Sequence, residues 1–501
     1  MRNNRVFAGI TAISLILLCF HAYSQLTPQE AAIQMSRGIN IGNTLEPPDE
    51  GSWNNPPVEE YYFDDYKAAG FSTVRIPISW YNHTETLAPY TVDGDWMDRV
   101  EQIVDWGLAR KLIIIINAHH ESWLKENPSP ENLERFDSIW SQIAVRFQGK
   151  SDSLFFEMIN EPYPMAQEIV DALNARVLSI IRKTNPTRIV LFSGYMWSNS
   201  AELLQAAIPD DDYLMGYFHS YDPWSFAGEG NGIWGSSSDV NAIKTQFDQV
   251  QQWTNNTGIP VLIGEFGAIF TCDFNSRSYH YATYVEQSLS HNIPFTVWDD
   301  GGQFRMYDRE NHGWNYLKDI VTNFSEWNPT QLRATNLDGD SVKLTWVNRT
   351  TENDSIFVKR GSSPLNMATI ARLNYNLSEY TDTAVEESKT YFYRVIAHFE
   401  DTTDLFTYPV TVTATRPSFS IERNASETLC LYPNPAGDQV HIILNTNEPI
   451  LYIAIYTMSG QLIEKVNPAN NILPVNHLKA GCYIVKVQAQ TKSYMSILLR
   501  E

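Results

Sequence analysis

Cysteine is nearly absent from this sequence, with four in 501 residues. Cys19 lies in an N-terminal apolar stretch. The other three, Cys272, Cys430 and Cys482, form neither a disulfide framework nor a zinc spacing, and Cys430 and Cys482 are read as unpaired. Positive charge is also scarce. Lys and Arg total 36 against 58 Asp and Glu, a formal net charge of −22. Such a chain repels phosphate backbones, so nucleic acid is excluded as a partner. No run beyond residue 24 is apolar and long enough to span a bilayer. There is no P-loop, no Gly-rich dinucleotide turn, no internal repeat and no low-complexity tract. Neither a cofactor nor a metal is expected.

Aromatic residues are plentiful, at 13% with 14 Trp and 26 Tyr, and hydrophobic residues make up 43%, enough for a sizeable core. The first 24 residues read as a signal peptide. Arg2 and Arg5 precede the apolar run Val6 to Phe20, and Ala22-Tyr23-Ser24 forms a small-x-small cleavage site before Gln25. Leu18 is too large for a lipoprotein site at Cys19. A secreted protein acting on an uncharged substrate is the expectation.

From residue 25 to about 327, eight apolar runs alternate with amphipathic stretches. The runs are Gly38–Leu45, Thr73–Trp80, Lys111–His120, Leu154–Pro162, Arg188–Trp197, Tyr213–Tyr221, Pro260–Gly267 and Pro294–Gly301. Between them, Trp96–Leu108 repeats apolar residues with a 3.6-residue rhythm at Met97, Val100, Ile103, Val104 and Leu108, as do Leu133–Phe147 and Ile169–Ile181. Near-continuous apolar strands alternating with helices predict a parallel sheet covered on both faces. About eight such units over roughly 300 residues predict an α/β fold, a (β/α)₈ TIM barrel, with an open doubly wound sheet as the alternative. The helical rhythm stops near Asn328-Pro329. Period-two strands over 328–416, a polar linker over 417–428 and further short strands over 429–501 predict two small all-β sandwich domains after the barrel.

Asn160-Glu161-Pro162 and Gly264-Glu265-Phe266-Gly267 each set a glutamate at the polar end of an apolar run. A carboxylate where a buried strand surfaces is costly unless it is used, and a pair of them can serve as acid and nucleophile for a glycosidic bond. Barrel enzymes gather catalytic groups at the C-terminal strand ends. There the second run carries Arg75, the third His119 and His120, the fourth Asn160 and Glu161, the sixth His219 and Tyr221, the seventh Glu265 and the eighth Trp298.

This ring, together with Gly38-Ile39-Asn40-Ile41-Gly42-Asn43-Thr44-Leu45-Glu46, resembles glycoside hydrolase family 5 over about residues 25–327. Pro329, Leu332, Trp346, Tyr380 and the Tyr391–Ala397 strand resemble a fibronectin type III module. Leu431-Tyr432-Pro433-Asn434-Pro435, Ile455–Gly460 and Leu478–Val487 resemble the C-terminal sorting domain of the type IX secretion system. The resemblance implies a secreted retaining endo-β-1,4-glucanase, cellulase-like, acting on β-glucan polysaccharides. It also implies export by the type IX machinery, followed by release or cell-surface attachment. A β-mannanase, lichenase or xyloglucanase of the same fold is the alternative, and a non-catalytic carbohydrate-binding surface protein the rival of another class.

The roles implied are Glu161 as acid/base and Glu265 as nucleophile, roughly 5–5.5 Å apart because no water has to fit between them. Glu161 then needs a raised pKa, and Glu265 an anionic state kept by Arg75 and oriented by Tyr221. Asn160 is expected on the sugar 2-hydroxyl, His219 against Glu161, His119 on sugar hydroxyls and Trp298 beneath the ring. His120 neighbours a matched residue with its role open. Most loop tryptophans read as core packing. Trp224 and Trp234, flanking the Gly228–Gly232 stretch, are the two expected to face a sugar. The β-sandwich over 328–416 is expected to be a spacer.

Overall fold

Eight parallel strands close on themselves in the computed structural model. They are β1 (Arg37–Asn40), β2 (Thr73–Ile76), β3 (Ile113–Asn117), β4 (Leu154–Glu157), β5 (Val190–Phe192), β6 (Leu214–His219), β7 (Val261–Glu265) and β8 (Phe295–Val297). β1 pairs with β8 through Ile39 opposite Val297, which seals the barrel. The structure describes residues 25–400, 403–416, 429–444, 449–458, 460–467, 471–490 and 492–501. The expected signal peptide and the 417–428 linker lie outside them. No described helix is long and apolar enough to cross a membrane.

All eight apolar runs contain a strand, and the strands are shorter than the runs because each run continues into the loop above the barrel. The expected helices occupy Gly94–Ala109, Pro130–Arg146 and Gln167–Arg182. The first two start at side-chain caps: Asp93 accepts from the backbone of Asp95 and Trp96, and Ser129 from Asn132, with Pro130 in the first turn.

Strand alternation divides the core. Ile113, Ile115, Phe155, Leu191, Met215, Tyr217 and Leu262 fill the barrel interior with Ala31 and Met35, contributed by the helix Pro28–Met35. Ile114, Ile116 and Phe156 face outward into the helix layer. Continuing the inward series toward the C-terminal ends replaces apolar side chains with polar ones: Asn40, Arg75, Asn117 and Glu157, one from each of the first four strands, all buried. This polar layer is the base of the functional cleft.

Residues 330–413 fold as two facing antiparallel sheets, one of three strands and one built on Ser355–Ser363 and Thr390–His398. They share a core that includes Trp346, whose ring is 4% exposed and so offers no sugar platform. The segment expected as a spacer is packed onto the barrel. Asn275 and Thr411 exchange two hydrogen bonds of 2.9 and 2.6 Å. Tyr279 stacks on Tyr408, and Arg349 pairs with Glu286 at 2.8 Å. The described residues up to 416 form one compact unit and those from 429 onward another. The second unit contains a three-stranded and a four-stranded antiparallel sheet around Val440, Ile442, Ile453, Ile455, Val485 and Val487. Cys430 and Cys482 in it are free and exposed.

Candidate active site

Glu265 ends β7, and Glu161 follows β4 on a backbone fixed by the hydrogen bond from Asn160 N–H to the Ala118 carbonyl, 2.9 Å. Glu161 has φ +40°, in the left-handed region, where a non-glycine residue costs on the order of 1–3 kcal/mol. Both carboxylates face one cleft. Their ligand-capable oxygens and an imidazole nitrogen of His219 all lie within 4.8 Å of one another. His219 Nδ1 is 2.8 Å from Glu161 Oε1 and 3.7 Å from Glu265 Oε2. That spacing matches a retaining carboxylate pair and is too close for the roughly 6.5–9.5 Å of an inverting one.

Each predicted ring member has a partner here. Arg75 Nη1 donates to Glu265 Oε1 at 2.8 Å and Tyr221 Oη to Glu265 Oε2 at 2.8 Å. Arg75 Nη2 donates to Asn160 Oδ1 at 2.7 Å. A guanidinium only donates, so the Asn160 oxygen faces it and the Asn160 amide NH₂ is left for a ligand acceptor. His119 lies parallel to Trp298, ring centroids 6.1 Å apart. Gly42 makes room for that indole, since a Cβ there would stand 2.7 Å from the Trp298 ring. His120 is exposed at the cleft edge, with the half-exposed Trp53 ring 5.8 Å away.

Three of the site's groups were not singled out in the sequence. Glu157 binds Arg75 through two bonds, Nε at 2.6 Å and Nη2 at 2.7 Å, with both side chains fully buried. Asn117 joins Glu157 to His119. Glu46, in the loop after β1, brings a carboxylate oxygen within 4.8 Å of ligand atoms of His119 and His120. Burial pushes the Glu46 carboxyl up to about 7 against backbone donors at Asn43 and Thr44.

The tryptophan expectations separate. Trp224 is 56% exposed, its ring edge-on to Tyr221 at 6.0 Å. Trp234 is 4% exposed and packs on Phe226, Tyr279 and His280, so its expected place in the cleft is corrected to the core.

The expected electrostatic division is also revised. Burial drives both carboxyls upward. At Glu161 the His219 hydrogen bond and charge outweigh it and hold the group below its ordinary value. At Glu265 burial prevails over His219, Arg75 and Tyr221, and Glu161 adds repulsion, so the upward shift falls there. Two reasons are visible. The Glu161 side chain keeps 27% exposure against 6% for Glu265. Arg75 is already neutralised by Glu157, so Glu265 receives only part of its charge. The two carboxyls are close enough for each to shift the other, so they titrate as a pair. Such a triad can give a proton to one oxygen and present an anion opposite it.

Residues 33–303 match the family model described as Cellulase (glycosyl hydrolase family 5), and residues 430–499 match the Secretion system C-terminal sorting domain. Endoglucanase H of Acetivibrio thermocellus is 47% identical over 275 residues, 55% of this chain and 30% of that relative's length. Endoglucanase B of Ruminococcus albus is 31% identical over 339 residues, 61% of this chain and 83% of that one. A crystal structure described as a hyperthermophilic endo-beta-1,4-glucanase in complex with substrate superposes with a TM-score of 0.57 at 33% identity, covering 59% of this chain and 99% of that one. With an eight-stranded barrel, a paired-carboxylate cleft and a family match over its catalytic region, the chain is a glycoside hydrolase and belongs to glycosyl hydrolase family 5.

Proposed function

We propose that this protein is a secreted endo-β-1,4-glucanase that cleaves internal bonds of β-glucan polysaccharides by double displacement. The observation that carries the mechanism is the Glu161–His219–Glu265 cluster, whose reactive atoms fall within 4.8 Å. Glu265 attacks the anomeric carbon while Glu161 protonates the departing oxygen. Water then enters where the leaving group was, Glu161 takes its proton, and Glu265 is released.

Substrate sets the proton in place. A sugar chain over Glu161 removes the solvent that its side chain still meets, which raises its pKa toward that of an acid. Positive charge growing at the anomeric carbon favours the Glu265 anion, which Arg75 and Tyr221 hold in line. Asn160 donates to the 2-hydroxyl through the NH₂ that Arg75 leaves free, and Trp298 lies beneath the ring. The sorting domain directs the enzyme through the type IX secretion machinery across the outer membrane, where it is released or held at the surface.

The test is reducing-sugar release from carboxymethylcellulose, barley β-glucan, glucomannan and xyloglucan, with Glu161→Gln and Glu265→Gln alongside. Activity on the first two, lost in both variants, is expected. Strong activity on glucomannan alone, or turnover unchanged in the variants, overturns the reading.

A further inference from the structure

The cluster of Glu46, His119 and His120 has the residue types of a metal site, with one carboxylate and two imidazoles offering ligand atoms within 4.8 Å. Whether a metal can use it depends on which nitrogen of His119 carries the proton, and Asn117 answers that question.

The Asn117 amide is fixed by two neighbours that can each bond in only one way. The Ile78 backbone N–H can only donate and lies 3.0 Å from one amide atom, which is therefore Oδ1. Both Glu157 oxygens already accept from the Arg75 guanidinium, which only donates, so Glu157 acts here as an acceptor. It lies 2.8 Å from the other amide atom, which is therefore Nδ2. The second hydrogen on Nδ2 points to His119 Nδ1 at 3.1 Å. An amide nitrogen can only donate, so Nδ1 accepts with its lone pair and the ring is not an imidazolium, which would carry hydrogen on both nitrogens. A neutral imidazole that accepts at Nδ1 must carry its proton on Nε2. A metal-ligating histidine shows the reverse arrangement, donating its remaining N–H to an acceptor behind it.

We propose that Asn117 is a positioning residue that locks His119 as the Nε2–H tautomer. His119 is thereby a hydrogen-bond donor toward the substrate-binding cleft, and a divalent cation is denied the Glu46–His119–His120 cluster. Only the part concerning substrate rests on the function proposed above; the tautomer follows from the protein alone. The device has a use in this cleft, because a transition metal seated on these side chains would obstruct a sugar. Its members are also tied together: Arg75 holds Glu157, Glu157 orients Asn117, and Asn117 sets His119.

The direct test is nitrogen NMR of the wild-type full chain labelled with ¹⁵N-histidine, with His119 assigned by its disappearance in His119→Gln. The expected result is a protonated Nε2 and a bare Nδ1. A proton on Nδ1 overturns the proposal whatever polysaccharide the enzyme cleaves, and an inactive enzyme with the expected tautomer would sink only the functional reading. Asn117→Asp supplies a second arm. The new side chain has at most one O–H, which Glu157 takes, so His119 must donate from Nδ1 and its Nε2 lone pair is freed. Calorimetry with Zn²⁺ alone should then show affinity about tenfold or more above wild type, as expected when a carboxylate supports a histidine ligand from behind. That gain should vanish in Asn117→Asp with Glu46→Gln, which leaves the Glu161–His219–Glu265 cluster untouched. An unchanged His119 tautomer in Asn117→Asp, or no gain in Zn²⁺ affinity, overturns the proposal.

Discussion

Glu157 holds Arg75 through two hydrogen bonds, 2.6 Å to Nε and 2.7 Å to Nη2, with neither side chain exposed to solvent. The pair decides how much of the Arg75 charge reaches Glu265. It also leaves the guanidinium one nitrogen to share between Glu265 and Asn40, at 2.8 and 2.9 Å.

Removing Glu157 takes from the buried Arg75 the partner of two of its nitrogens and leaves Glu265 as its remaining carboxylate. Glu157→Ala is expected to lower stability by about 3–5 kcal/mol, the usual cost of breaking a buried ion pair from one side. Urea denaturation followed by tryptophan fluorescence reads it. A loss below about 1 kcal/mol, the level of a surface pair, would contradict the burial argument.

Tyr221→Phe deletes one of the two donors that favour the Glu265 anion. A hydrogen bond to a charged group contributes about 1.5–3 kcal/mol, so kcat/KM should fall roughly 10- to 100-fold. The lost bond stabilised the charged form, so the pKa of Glu265 rises and the acidic limb of the kcat/KM profile moves to higher pH. A pH profile with an unmoved or lowered acidic limb would show that Tyr221 does not act on Glu265.

Trp224 and Trp234 should behave oppositely. Trp224→Ala removes an exposed ring edge-on to Tyr221, and is expected to raise KM on polymeric substrate roughly 2- to 10-fold, in line with about 0.5–1.5 kcal/mol for an aromatic contact, with little change in melting temperature. Trp234→Ala empties a buried position at a cost of about 3–5 kcal/mol. Parallel kinetics and thermal melts of the two variants separate the roles, and a Trp234→Ala protein that melts like wild type would return that ring to the cleft.

These contrasts trace what the sequence could and could not disclose. The barrel was legible because each strand is a near-continuous apolar run between amphipathic helices. Glu161, His219, Tyr221 and Glu265 were legible because they interrupt those runs where the strands surface. Asn117 and Glu157 escaped because they sit inside the runs, three and five positions before the ends at His120 and Pro162. The available signal was parity: Ile113, Ile115 and Asn117 share a face, as do Phe155 and Glu157, so a polar residue capping an inward series marks the cleft floor. Glu46 was part of a quoted run, but only the folded loop brings it to His119 and His120. Trp234 misled because its glycine-rich neighbourhood resembles an open loop, whereas the chain turns that indole in against Phe226, Tyr279 and His280. The division of charge between Glu161 and Glu265 depends on distances and exposure that a linear sequence does not hold.

The spacing of Glu161 and Glu265 carries the central claim, and the stereochemistry of the first product tests it most directly. Proton NMR of a soluble β-glucan oligosaccharide, recorded in the first minutes after enzyme is added, resolves the new reducing end before mutarotation. The account predicts that the β-anomer appears first and the α-anomer only as the sugar equilibrates. An α-anomer formed first would mean that water attacks directly, and the double displacement through Glu265 would be wrong.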